Sequence, residues 1–317
     1  MKPVFIISLD CEGKWGLADV LTDASNEYLS NENLICAYGR LLELLVQYSV
    51  KATFAFVGAL TFSVPEYEAS RDLFSGRGYQ GKDWLAPFKE QAAEGNFEGW
   101  LCPELLEMAK SSDHEIATHG FSHLPFDERT VQRKDIVSEL SAIEKWRVMK
   151  GVTVSTMVFP RNISGFLPEL SRLGLIGFRN KTIVSNKKLP KPLTSMIREL
   201  SPWPKSQTHS HPSQKAGQSI LAIPGGFFFN WRCGPGRFVP KLHTVNRWKK
   251  IIDHGIHHGN VVHLWVHPHN FIKGVGQFAV LESVLQYLDQ KRKEGRIVNM
   301  TQEQYVSYVE SSVRNHS

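Results

Sequence analysis

No two cysteines in this sequence lie close together. Cys11, Cys36, Cys102 and Cys233 are the only four in 317 residues, and none forms a CxxC pair. That excludes a disulfide-stapled small fold and a cysteine-rich zinc module, and it fits a reducing compartment with thiols used as small apolar side chains. Apolar runs are short as well, and none approaches the roughly 18 residues of a membrane-spanning helix. The opening, MKPVFIISLDCEG, lacks the apolar segment and small-residue cleavage site of a signal peptide, so a cytoplasmic location is expected. There is no internal repeat. Positive charge is in slight excess, 37 Lys and Arg against 31 Asp and Glu. The excess is spread along the chain, with no basic run interleaved with aromatics. That pattern argues against nucleic acid and leaves acidic glycans, phosphate-bearing molecules or a membrane surface as anionic partners.

What is present is an alternation. The strand-like runs are VFIISL (4–9), ATFAFV (52–57), EIAT (115–118), STMVF (155–159), LIGF (175–178), SILAI (219–223), VVHLWV (261–266) and RIVNM (296–300). Between them lie amphipathic segments. Residues 34–48 carry Leu34, Leu41, Leu45 and Tyr48 on one face, and residues 131–149 carry Ile136, Leu140, Ile143 and Trp146. Thr301 and Gln304 form a capping-box pattern opening a last helix. This is the signature of an α/β fold with parallel strands. Two stretches interrupt it, near 61–100 and 180–218. Long insertions of this kind are often lids or binding elements. No boundary divides the chain, so one catalytic domain over residues 1–317 is expected.

The residues capable of chemistry fall at the C-terminal ends of the strand-like runs. VFIISL leads to Asp10 and Glu12, EIAT to His119 and His123, STMVF to Arg161 and Asn162, and VVHLWV to His267 and His269. In a barrel of parallel strands these ends converge on one face. A carboxylate and two imidazoles make a three-ligand metal set with an open position for water. A second carboxylate and a third histidine remain for proton transfer. The inventory suits metal-assisted hydrolysis of an amide or ester.

SLDCEG, THGFSH, FPRN and LWVHPHN, in that order, resemble the successive motifs of the polysaccharide deacetylase family, the NodB-homology or carbohydrate esterase 4 group. The similarity runs from the first strand to about residue 270. It implies a distorted (β/α) barrel of seven or eight mostly parallel strands and a divalent metal, commonly zinc. It also implies a carbohydrate N-deacetylase, in which metal-bound water attacks the amide carbonyl of a glycan precursor or surface-polysaccharide sugar. By the same resemblance, His119 and His123 are metal ligands, Arg161 orients the catalytic base, and His267 is the general acid. Trp265 lines the acyl site and Asn162 lies at the substrate. The usual pair of adjacent aspartates is replaced by Asp-Cys-Glu. Asp10 is therefore taken as base and Glu12 as the third ligand, with the exchange of those roles left open. Strand alternation turns Cys11 away from both.

Weaker signals surround this set. His263 shares a strand face with Trp265 and His267, which makes it a supporting residue. HSH (209–211) lies in the polar insertion and could be a flexible loop or touch substrate, and HGIHHG (254–259) ends a helix candidate. The stretch 223–238 suits either a sugar-stacking loop or core packing. Two other functions stay open. One is a metal-independent C–N hydrolase acting on a small cyclic amide, as in allantoinase-like relatives. The other is a non-catalytic glycan-binding protein. The oligomeric state has no signature in the sequence.

Overall fold

Val4–Cys11 (β1) is buried at every position, as a strand covered on both faces must be. The computed structural model describes residues 1–181, 208–212 and 220–314. Within it β1 is followed by β2 (Thr53–Phe56), β3 (Glu115–Thr118), β4 (Thr156–Val158), β5 (Gly177–Arg179), β6 (Leu221–Ile223), β7 (Phe227–Phe228), β8 (Val261–Val266) and β9 (Val298–Asn299). Eight of these form one path in the order β6-β5-β4-β3-β2-β1-β8-β7, and β9 pairs with the start of β1. Every pairing in this sheet is parallel.

A short link shows that the sheet is curled. β6 and β7 stand at opposite ends of the path, yet only residues 224–226 join them. Four Cα steps reach at most about 15 Å. The two ends must therefore lie close, and the sheet bends into a distorted barrel. Gly226 makes the link possible. Its φ is +60°, and a Cβ there would lie 1.8 Å from the His263 carbonyl oxygen on β8. β7 is the strand that the alternation did not reveal, and it lies within the aromatic stretch 223–238.

Helices pack outside the sheet. Asn31–Gln47 (α1) buries Leu34, Leu41 and Leu45 and is capped by Ser30. Arg133–Lys150 (α2) buries Ile136, Leu140, Ile143 and Trp146 and stops at left-handed Gly151. Lys241–His258 (α3) ends at left-handed Gly259, and Gln277–Lys293 (α4) packs beside it. Gln302–Arg314 (α5) opens on the reciprocal Thr301–Gln304 bonds of a capping box. No described helix is long and apolar enough to cross a membrane.

The stretch 61–100 is wall and not a free loop. It folds into short helices and a small hairpin, and it buries Phe74, Phe88 and Trp100 around Trp15. Most of 180–218 lies outside the described residues. The part of it at 208–212 runs beside the N-terminal end of β8, where His209 pairs with Val261, and His211 meets Tyr305 and the Lys2 carbonyl. These histidines therefore sit at the opposite end of the strands from His267, which corrects the expectation that HSH might touch substrate.

Candidate active site

Glu12 follows β1 in a tight turn, and its neighbours leave room for it. A Cβ on Gly16 would lie 2.3 Å from the Glu12 Oε1 atom. His119 follows β3, and His123 ends a sharp turn in which Gly120 and His123 both adopt positive φ, +81° and +61°. For histidine that conformation is uncommon and strained. Glu139 on α2 holds the turn, accepting the Phe121 and Ser122 N–H groups at 2.7 and 2.8 Å and the Ser122 hydroxyl at 2.8 Å. Arg77 pairs with that carboxylate in a fully buried contact. Trp84 donates its indole N–H to the Ser122 carbonyl. The stretch 61–100 thus grips the turn between the two histidines.

The result is a convergence on one oxygen. His119 Nε2 lies 3.2 Å and His123 Nε2 3.0 Å from Glu12 Oε2. The His119 Nδ1 atom lies 2.7 Å from the Val158 carbonyl, which only accepts, so Nδ1 carries the proton. In the neutral ring, Nε2 then aims a lone pair at a carboxylate. Burial also pushes His123 below its usual pKa, despite its contact with Glu12. Lone pairs facing a carboxylate repel unless a proton or a cation lies between them. Two imidazoles and one carboxylate are a known zinc-type donor set. A backbone carbonyl holding the far nitrogen is the usual support for a metal-binding histidine. The three side chains fit a divalent cation. His123 Nδ1 is buried without a protein partner.

Asp10 lies beside this cradle, and its partner differs from the expected one. Arg179, at the end of β5, grips both carboxylate oxygens at 2.6 and 2.7 Å and is itself fully buried. Arg161 instead pairs with Asp19 near the surface and lies over the Trp84 ring. The contact expected of Arg161 is made by Arg179. Asn162, expected at the substrate, commits its Oδ1 to Arg179 at 3.0 Å. Trp265 is half-buried, with the Arg179 guanidinium 4.6 Å from its ring centroid and the Phe228 ring 4.7 Å away. Burial opposes ionisation of Asp10, but the charge and hydrogen bonds of Arg179 outweigh it and hold the carboxyl below its ordinary value. Burial likewise opposes ionisation of Glu12. There the nearby His267, His119 and His123 rings prevail, and its pKa falls well below normal. Cys11 lies on the opposite strand face, in the core, and its thiol is pushed up by burial.

His267 completes the ring of groups. Its Nε2 is 3.8 Å from Asp10 Oδ2 and 3.4 Å from Glu12 Oε1. Its side chain is 25% exposed, against 2–6% for the two carboxylates and the two histidines on Glu12, so it forms the open side of the site. Buried Asn270 donates to His267 Nδ1 at 3.3 Å, which leaves the proton of the neutral ring on Nε2. His269 stacks on His267 with centroids 5.1 Å apart, and burial lowers its pKa to about 4. Glu12, His267 and His269 form a second group with ligand-type atoms within 4.8 Å.

Sequence reasoning missed Arg179, Asn270 and Glu139. Arg179 did leave a signal: an arginine directly after LIGF, where a strand end enters the core. A sequence model of the polysaccharide deacetylase family matches residues 32–162. Over that stretch the chain is similar to polysaccharide deacetylases. The matched stretch contains His119 and His123, while Asp10, Glu12, Arg179 and His267 lie on either side of it. A search of curated proteins finds no match. Solved structures share the barrel. A Mycobacterium smegmatis protein described as a polysaccharide deacetylase is 15% identical with TM-score 0.52, over 98% of this chain and 90% of that one. A Pseudomonas aeruginosa PAO1 protein described likewise is 14% identical with TM-score 0.58, over 96% and 89%. Puue allantoinase is 11% identical with TM-score 0.56, also over 96% and 89%. At these identities the likeness is one of fold.

Proposed function

We propose that this chain is a cytoplasmic, zinc-dependent hydrolase that removes an N-acetyl or similar acyl group from a carbohydrate, such as a glycan precursor. The observation that carries the reading is the placement of two imidazole nitrogens on one Glu12 oxygen, beside an Asp10 locked by Arg179. Glu12, His119 and His123 would hold a divalent ion, which would supply Lewis acidity and lower the pKa of water. Asp10 is kept ionised by Arg179 and accepts the proton of the attacking water. His267, once protonated, donates from Nε2 to the departing nitrogen, whose amine would otherwise be a poor leaving group. Trp265 and Phe228 offer an apolar surface beside these groups, suited to an acyl methyl. The pale excess of positive charge is compatible with a phosphate-bearing or acidic sugar.

A second reading has one observation in its favour, the fold shared with Puue allantoinase. On that reading the chain opens a small cyclic amide without metal. The repulsion among His119, His123 and Glu12 argues against it. An acetate-release screen over N-acetylated monosaccharides, nucleotide sugars and oligosaccharides tests the proposal, with metal analysis of the same sample. Acetate release by protein containing about one divalent ion per chain is expected. Ring opening of a cyclic amide by metal-free protein would favour the second reading.

A further inference from the structure

We infer that His263 and Ser8 are positioning residues that set the orientation of Arg179 against Asp10. Both are buried, on the adjacent strands β8 and β1. His263 Nδ1 lies 2.6 Å from the Pro224 carbonyl, and its Nε2 lies 2.9 Å from Ser8 Oγ. Ser8 Oγ in turn accepts from Arg179 Nη1 at 3.1 Å.

The protons in this chain of contacts have one consistent arrangement. The Pro224 carbonyl only accepts, so the His263 proton is on Nδ1. His263 Nε2 then carries a lone pair and accepts the Ser8 hydroxyl proton. With its proton so committed, Ser8 presents a lone pair to Arg179. The other tautomer would place the Nδ1 lone pair 2.6 Å from the Pro224 oxygen. A protonated ring would add a buried cation next to Arg179.

Arg179 depends on such help because its Nε is buried without a partner. The guanidinium is therefore held through its two terminal nitrogens. Asp10 takes both, Asn162 takes Nη2, and Ser8 takes Nη1. Removing the Ser8 contact leaves Nη1 with Asp10 alone. The fork can then rotate and carry the carboxylate with it. The Pro224 carbonyl belongs to the three-residue link between the two end strands of the sheet, so the relay also ties the geometry of Asp10 to that link.

This inference rests on the proposed function for the role of Asp10, and its test separates the two. In His263→Gln, the side-chain oxygen replaces Nε2 as acceptor for Ser8. In His263→Asn, the shorter amide reaches only the Pro224 side. Both variants lose the ring and should melt at similarly lowered temperatures. We expect His263→Asn and Ser8→Ala to lose kcat by about 10- to 100-fold, the scale of a displacement of ~1 Å at the reacting groups. Their KM should be unchanged, and His263→Gln should recover most of the loss. Nitrogen-15 NMR of the zinc-loaded protein should show His263 as the neutral Nδ1–H tautomer, assigned by its absence in His263→Gln. An Nε2–H or cationic ring would overturn the inference, as would equal kcat in the two His263 variants. The NMR reading needs no turnover. A protein that hydrolyses no acetamide but shows the Nδ1–H tautomer would therefore sink the functional proposal and support the relay.

Discussion

At the scale of single residues, the division of labour between Asp10 and Glu12 is the sharpest claim. Glu12 faces the two histidine nitrogens, whereas Asp10 faces an arginine. Asp10→Asn should therefore abolish turnover while the protein still binds zinc, and Glu12→Gln should weaken zinc binding itself. Metal analysis of the two variants would reveal the reverse pattern if the roles are exchanged. The two arginines give a second contrast. Arg179→Ala strands a buried carboxylate and should cost about 3–5 kcal/mol, as the loss of one partner of a buried pair does. Arg161→Ala removes a partly exposed pair and should cost less than about 1 kcal/mol. Urea melts of both variants decide this, and equal costs would contradict the assignment. His267→Ala should slow acetamide hydrolysis by about 10² to 10⁴. An activated ester, whose leaving group needs little protonation, should suffer less, and equal losses would show that His267 only packs.

At the scale of elements, the strands and turns differ in how much of them could be read ahead. EIAT and VVHLWV became β3 and β8 at the boundaries their sequence indicates, because buried parallel strands are compact apolar runs. Asp10, Glu12, His119, His123 and His267 stood out because each follows such a run directly. Arg179 was hidden for a physical reason. Its strand has three residues, and its partner Asp10 is 169 positions away, so no local spacing links them. Arg161 drew attention by its place in FPRN, but consecutive positive φ values at Arg161 and Asn162 turn the chain there. Glu139 was hidden in a different way, since a helical glutamate looks solvated until its helix is docked. Its importance is testable. Glu139→Gln should loosen the turn between His119 and His123 and lower zinc affinity by about 10- to 100-fold, as lost support of a ligand usually does. Unaltered affinity would mean that the turn stands without it.

At the scale of the whole molecule, one curled sheet gathers the functional groups from β1, β3, β5 and β8, and the 224–226 link keeps its two ends near each other. His263 holds that link, and burial lowers its pKa from 6.5 to about 3. An unfolded chain takes up this proton below about pH 6.5, while the folded chain resists it until near pH 3. Falling pH therefore favours unfolding across that window, by up to about 1.4 kcal/mol per unit. The depressed carboxylates Asp10 and Glu12 act in the same direction, but only below about pH 4. The metal-free His263→Gln protein should accordingly lose stability less steeply than the wild type between pH 6.5 and 4 in urea melts, and parallel slopes would contradict this. On the proposed function, the sheet holds a cation-binding cradle next to an acid and a base, and that claim has a direct test. Acetate release from an N-acetylated sugar should vanish when the protein is stripped with a chelator and return when zinc is added back. Undiminished release from the stripped protein would contradict the account.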